Sequence, residues 1–192
     1  VRPQQGFPLR LLVPGFEGIF NSKYLRRIKV VDRYYMTYND YGHLNRRDGP
    51  EGAALGMLIG PKSVITFPSG GQQLPDRGFY EVSGLAWSGG GAISRVEVST
   101  DGGRRWADAE IQGTAHRMSH TRFSYQWTWD GQETELLSRC TDETGQVQPT
   151  RAQIAEFFGE RADDESFRVR GMDNSVQPWR IASDGSVHNA IA

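Results

Sequence analysis

The chain has 192 residues, a formal net charge of -1 and 37% hydrophobic residues, enough for one well-filled core with short appendages. A charge so close to neutral argues against a dedicated nucleic-acid binder, whose phosphate-neutralising surface makes the whole domain basic, and points to proteins or a small anion as partners. No apolar run approaches the ~20 residues needed to span a bilayer, and the single cysteine, Cys140, excludes an intrachain disulfide.

In chain order, residues 1–33 mix Pro, Gly and short apolar runs, and residues 34–61 are polar and read as a linker. From Ser63 onward, short β-branched and aromatic runs separated by Gly, Asp and Pro give the rhythm of an antiparallel sandwich. Strands are expected at 63–67, 79–87, 93–99, 106–111, 122–129 and 135–141. The clearest alternation sets Phe123, Tyr125, Trp127 and Trp129 on one face against Ser124, Gln126 and Thr128 on the other, as a half-buried strand requires. Val96 and Val98 alternate in the same way with Arg95, Glu97 and Ser99. The following Asp101-Gly102-Gly103 tolerates positive φ, which predicts a hairpin over 93–111.

After Pro149 the period changes. Thr150 caps a helix with Gln153 at the third position of a capping box, Ile154, Ala155, Phe157 and Phe158 give it an apolar side, and Gly159 stops it. A charged surface loop over 160–166 and a last strand at 179–182, before Asp184-Gly185, complete the reading.

Several residues invite a chemical role and have a plainer one. His116 and His120 have the i,i+4 spacing of a metal pair, but that spacing works only on a helix, and Gly113 with the β-rich run after it argues against one. Ser69-Gly70-Gly71 and Gly89-Gly90-Gly91 lack the lysine and hydroxyl of a phosphate loop and read as tight turns. Cys140 shares a strand face with Leu136 and Ser138 and reads as a small buried thiol. Lys23, Arg26, Arg27, Lys29 and Arg33, interleaved with Tyr24, Tyr34 and Tyr35, form the strong basic cluster, which suits an anionic ligand better than nucleic acid on so neutral a chain.

The opening stretch Gly6-Phe7-Pro8-Leu9-Arg10-Leu11-Leu12-Val13-Pro14-Gly15-Phe16-Glu17-Gly18 and Asn21-Ser22-Lys23-Tyr24-Leu25-Arg26-Arg27-Ile28 resembles the last cofactor-binding segment of the sulfite oxidase family of molybdenum enzymes. Gly84-Leu85-Ala86-Trp87-Ser88-Gly89-Gly90-Gly91, Arg95-Val96-Glu97-Val98-Ser99 and Asp101-Gly102-Gly103 with Trp106 resemble its dimerisation domain. Residues 63–72, 138–145 and Val147-Gln148-Pro149 look closest to the molybdenum subunit of sulfane dehydrogenase in the Sox thiosulfate-oxidising system. The resemblance implies a mainly β fold: an immunoglobulin-like antiparallel β-sandwich with an irregular N-terminal segment and one short helix. The expected parts are a remnant of a molybdopterin domain at 1–33, a linker at 34–61 and the sandwich at 62–192.

The family match implies that Arg10, Asn21, Ser22 and Lys23 contact the molybdopterin. A guanidinium offers its phosphate a planar fork and an ammonium a point charge. It also implies a homodimer through the sandwich, a periplasmic location, a c-type cytochrome as electron acceptor and a sulfur-carrier protein as a further partner. The family's cysteine ligand to molybdenum is not Cys140, so no catalytic or metal residue is assigned here, and the chain by itself is expected to hold no cofactor and show no turnover.

Two departures bear on this. Gln5 stands where many members have a histidine. Gly91 and Ala92 stand where sulfite oxidases place an arginine, which removes a positive group from a sulfite pocket and favours a sulfane sulfur. Ser99-Thr100-Asp101-Gly102-Gly103-Arg104-Arg105-Trp106 also resembles the Asp-box hairpin of propellers, but propellers repeat it blade by blade and it occurs once here. The alternative to an enzyme part is a noncatalytic immunoglobulin-like binding module. The two differ in whether Phe7, Leu9, Leu11, Leu12, Phe16 and Phe20 are exposed or buried.

Overall fold

The computed structural model describes residues 2–16, 18–32, 58–158 and 173–191, and the chain divides into two units, Val1–Leu58 and Ile59–Ala192. Most of the expected linker, Arg33, Tyr34, Tyr35, the helix stop at Gly159, the 160–166 loop and the side chains of Phe157 and Phe158 lie outside the described residues. Among the described residues no helix is long and apolar enough to cross a membrane.

The second unit is an antiparallel sandwich. Among the described residues its strands are β1 (Lys62–Phe67), β2 (Gly78–Trp87), β3 (Ile93–Ser99), β4 (Ala107–Asp108), β5 (Glu110–Gln112), β6 (Thr121–Trp129), β7 (Thr134–Asp142), β8 (Trp179–Ile181) and β9 (Val187–Asn189), and helix α1 (Arg151–Phe158) follows β7. One sheet has the order β1-β2-β6-β5 and the other β4-β3-β7-β8-β9.

Alternation along β6 buries Phe123, Trp127 and Trp129, with Tyr125 partly buried beside them. Across the register Gly84↔Phe123, the ring lies so close that a Cβ on Gly84 would meet both Phe123 and the carbonyl of Val64, so the position admits only glycine. Val96, Val98, Leu136 and Cys140 come in from the other sheet to close the core. Its burial supplies most of the driving force at roughly 25 cal/mol per Å² of apolar surface.

The Asp101 turn forms as expected: Asp101 Oδ1 accepts from the Arg105 N–H at 2.9 Å, Ser99 Oγ accepts from the Gly103 N–H at 2.9 Å, and Gly102 and Gly103 have φ of 74° and 87°. The hairpin is shorter than expected. β3 pairs with β4 only through Glu97↔Asp108 and Val98↔Ala107, whereas β5 pairs with β6 through Ile111↔Phe123. The chain changes sheets at Ala109, whose N–H still donates to Val96 O at 2.9 Å. Alternation continues unbroken across this crossing, so a period of two cannot detect it.

Helix α1 begins as the capping box requires, with Thr150 N–H donating to Gln153 Oε1 at 2.8 Å and Gln153 N–H to Thr150 Oγ1 at 3.2 Å. Strand β9 was not expected. Asp184-Gly185 is the turn of a hairpin rather than an end, and β9 pairs as Arg180↔His188 and Ile181↔Val187. Three residues per strand are too few to show alternation. The open edge of β1 is covered by side chains: Gln148 Oε1 accepts from the Ser63 N–H at 2.9 Å and Trp179 Nε1 donates to Ile65 O at 3.1 Å, which blocks edge pairing.

Candidate functional site

In the first unit, two segments run antiparallel, with Leu11 N–H donating to Ser22 O at 3.0 Å and Leu25 N–H to Leu9 O at 2.9 Å. Asn21 Oδ1 accepts from the Val13 N–H at 2.8 Å and pins the far end of the ribbon. A 3-10 turn at Pro3–Gln5 ends in Gly6 at φ 107° and lies against Lys23. A Cβ on Gly6 would stand 3.1 Å from Lys23 Cα and Cβ.

This packing brings two of the four expected contact residues together. Lys23 Nζ donates to Gln4 O at 2.9 Å and Arg10 Nη1 to Gln5 O at 3.3 Å, so both cations stand over consecutive carbonyls of one turn. Both side chains are exposed. Each spends one hydrogen atom on a carbonyl, leaving the ammonium two donors and the guanidinium four. Tyr24, immediately after Lys23, has φ 55°, a left-handed conformation that is costly for a bulky residue.

The donor set fits a phosphate group such as that of a molybdopterin, with Arg10 and Lys23 as the residues that would hold it. Asn21 has its side-chain oxygen committed to the ribbon. Ser22 enters the ribbon through its carbonyl and is otherwise exposed. Gln5, in the histidine position, turns its side chain to the Arg2 N–H at 3.3 Å. Of the apolar residues that separate the two readings, Phe7, Leu9 and Leu12 are 57%, 57% and 75% exposed, while Leu11, Phe16 and Phe20 are half-buried.

The remaining candidates take their plainer roles. Cys140 is buried, and desolvation first, then the nearby Asp142 charge, push its thiol up to about 12, so it stays protonated and unreactive. His116 and His120 lie on the 113–120 loop, where His120 and Trp87 form a T-shaped ring pair with 5.2 Å between centroids. Among the described residues no group of three or more His, Cys, Asp or Glu is placed to hold a metal. Gly71 is a turn residue at φ 82°, and the Gly89–Gly91 run packs against the loop after β7. A Cβ on Gly91 would stand 2.5 Å from Glu143 Cγ, and Glu143 pairs with Arg117 at 2.8 Å.

Sequence reasoning missed the buried polar groups that hold the sandwich. Ser63 Oγ bonds Ser138 Oγ at 2.9 Å and Gln148 Oε1 at 2.7 Å, and Lys62 Nζ donates to the carbonyls of Asp173 and Ser175 at 3.2 and 2.9 Å. Burial lowers the Lys62 pKa against the opposing charge of Asp173. Asp142 accepts from Ser88 Oγ at 2.7 Å and from Thr144 N, Thr144 Oγ1 and Gln146 N at 2.9, 2.6 and 3.2 Å. Burial alone would raise its pKa, but these bonds outweigh it and hold the carboxyl below its ordinary value. The only local signal was Asp142 two residues before Thr144; the partners from other strands left none.

Residues 57–177 match the family described as the Mo-co oxidoreductase dimerisation domain, and residues 1–39 match the oxidoreductase molybdopterin binding domain. The chain is 31% identical over 167 residues to mitochondrial sulfite oxidase of Rattus norvegicus, covering 75% of this chain and 29% of that protein. It is 33% identical over 181 residues to a nitrate reductase [NADH] of Brassica napus, covering 78% of this chain and 19% of that protein. Among solved structures, the sulfane dehydrogenase SoxCD from Paracoccus pantotrophus matches with a TM-score of 0.86 and 38% identity, over 100% of this chain and 48% of that one. The chain thus spans less than a third of these two sequence relatives and about half of the solved chain.

Proposed function

Because the chain belongs to the Mo-co oxidoreductase dimerisation-domain family, we propose that it serves in a molybdopterin-dependent oxidoreductase that oxidises a sulfur substrate and delivers electrons to a c-type cytochrome. Its first unit holds the anionic end of the cofactor, and the sandwich joins two copies in the periplasm. The observation that carries the cofactor reading is the pair of cations, Arg10 and Lys23, gathered over the carbonyls of Gln5 and Gln4 within the segment that matches a molybdopterin-binding domain. When bound, the cofactor supplies the two-electron redox chemistry. The ammonium and guanidinium neutralise its phosphate and fix its orientation, and Gly6 and Asn21 keep the turn and ribbon that place them. Phe7, Leu9 and Leu12 form an apolar surface suited to pack on other parts of a molybdopterin-binding domain.

The relatives include both sulfite oxidases and nitrate reductases, so the substrate must be argued from residues. The space beside Gly91 is filled by Glu143, whose carboxylate is paired with Arg117 at 2.8 Å, so a committed ion pair stands beside this position and not an uncommitted cation for a free sulfite. That supports a sulfane sulfur carried on a partner protein. The test uses the complete enzyme with its partner subunits, measuring reduction of a c-type cytochrome with a sulfane donor and with sulfite, and separately reduction of nitrate to nitrite with a reduced dye as electron donor, together with molybdopterin content. We expect turnover with the sulfane donor, and cofactor content reduced about tenfold in an R10A/K23A variant, as loss of two charge-assisted contacts implies. Nitrate reduction without sulfur oxidation would overturn the reaction class, and full cofactor content in the variant would overturn the assigned contacts.

A further inference from the structure

The outward faces of the two sheets differ in kind. On the five-stranded sheet Glu97 is neutralised within the face: Arg139 Nε and Nη2 reach it at 2.8 and 3.1 Å, Arg95 lies 3.2 Å from it, and Arg95 also pairs with Asp108. The four-stranded sheet turns Val64, Phe67, Phe79, Leu85 and Trp87 outward, with Phe79 63% and Phe67 37% exposed. An outward face of an antiparallel sheet is ordinarily polar, and apolar side chains gathered on one mark an interaction surface.

The register adds a symmetry. On the central strands, Glu81 faces Gln126 and Arg122 faces Leu85, each two residues from the pair Ser83↔Ser124. Neither Glu81 nor Arg122 forms an ion pair with another described residue. A two-fold axis through that small, uncharged pair, lying in the contact plane and crossing the strands, sets Glu81 of each copy against Arg122 of the other. One patch then satisfies itself twice, as an isologous contact must.

We propose that the outward face of β1, β2 and β6 is the surface that receives a second copy of this chain, centred on Ser83 and Ser124 with reciprocal Glu81–Arg122 pairs. This rests on the reading that the sandwich dimerises, and it adds which face does so and how it is registered. Sheets stacked in this way stand roughly 10 Å apart, within reach of both side chains.

The experiment is sedimentation of the full chain over a concentration series, comparing the unmodified protein, E81R, R122E and the double reversal E81R/R122E. The expected result is a species of twice 21.5 kDa for the unmodified chain, a dimer dissociation constant raised at least about tenfold by either single reversal through two like-charge contacts, and recovery in the double reversal. A monomeric unmodified chain would overturn the dimer reading itself. A dimer indifferent to both single reversals would overturn the face while leaving that reading intact. As a check independent of the reversals, Ser83→Cys treated with a short bismaleimide should yield a covalent dimer across the axis; no crosslink in a dimeric sample would also overturn the face.

Discussion

In the unit Ile59–Ala192 the decisive side-chain bonds join distant parts of the chain: Ser63 to Ser138, Lys62 to Ser175, Ser88 to Asp142. In Val1–Leu58 the described side-chain bonds are short-range, the longest being Lys23 to Gln4 across 19 residues, and large apolar side chains, among them Phe7, Leu9, Leu12, Ile28 and Val30, lie open. The contrast separates two ways of holding a residue in place. The sandwich fixes its strands by burying a shared core and satisfying the polar groups trapped within it. The first unit fixes two cations by closing small loops, which costs little chain entropy and leaves their charged ends in water, where an anion can meet them.

The contrast is broken most forcefully in the core. Phe123→Ala removes a fully buried ring and should destabilise the sandwich by about 4 kcal/mol, measured by urea unfolding followed through tryptophan emission. Because the first unit is held locally, amide exchange in residues 2–25 should change little; a parallel loss of protection there would show that the two units do not hold themselves separately.

Asp142→Ala comes next. It strands the Thr144 and Gln146 N–H groups and the Ser88 hydroxyl, at about 3 kcal/mol in total. The acid side sharpens this. The folded carboxyl lies below its ordinary 3.8, so its contribution is present above that pH and is lost as pH falls through the lower folded value. Asp142→Asn should flatten this acid limb, seen as a smaller drop in urea midpoint below pH 4.

On the other side of the comparison, Gly6→Ala places a methyl group against Lys23 at a backbone angle that side chains rarely adopt. We expect about 1–2 kcal/mol of local destabilisation, read as faster exchange and proteolysis within residues 2–25 with the sandwich midpoint unchanged. The smallest effect is Thr150→Ala, which removes the cap of α1 at about 1 kcal/mol and should appear as a small loss of helical signal.

What residues could declare through their near neighbours was legible from the amino-acid order alone. The alternation along β6, the Asp101 turn, the Thr150–Gln153 box and the inward face shared by Leu136, Ser138 and Cys140 all arise within a few residues of chain. So did the chemical character of Arg10 and Lys23. The tertiary structure decided what depends on partners far along the chain: that the strand after Trp106 leaves its hairpin at Ala109 and joins β6, that β9 exists, that Glu97 lies beneath Arg139, and that Gln148 seals the edge of β1. It also separated Arg10 and Lys23, whose cations converge on one turn, from Asn21, whose side-chain oxygen is pinned to the ribbon. The physical reason is that backbone geometry sets a period within one strand or helix, whereas the choice of neighbour is settled only when competing long-range packings and hydrogen bonds are compared in the folded whole.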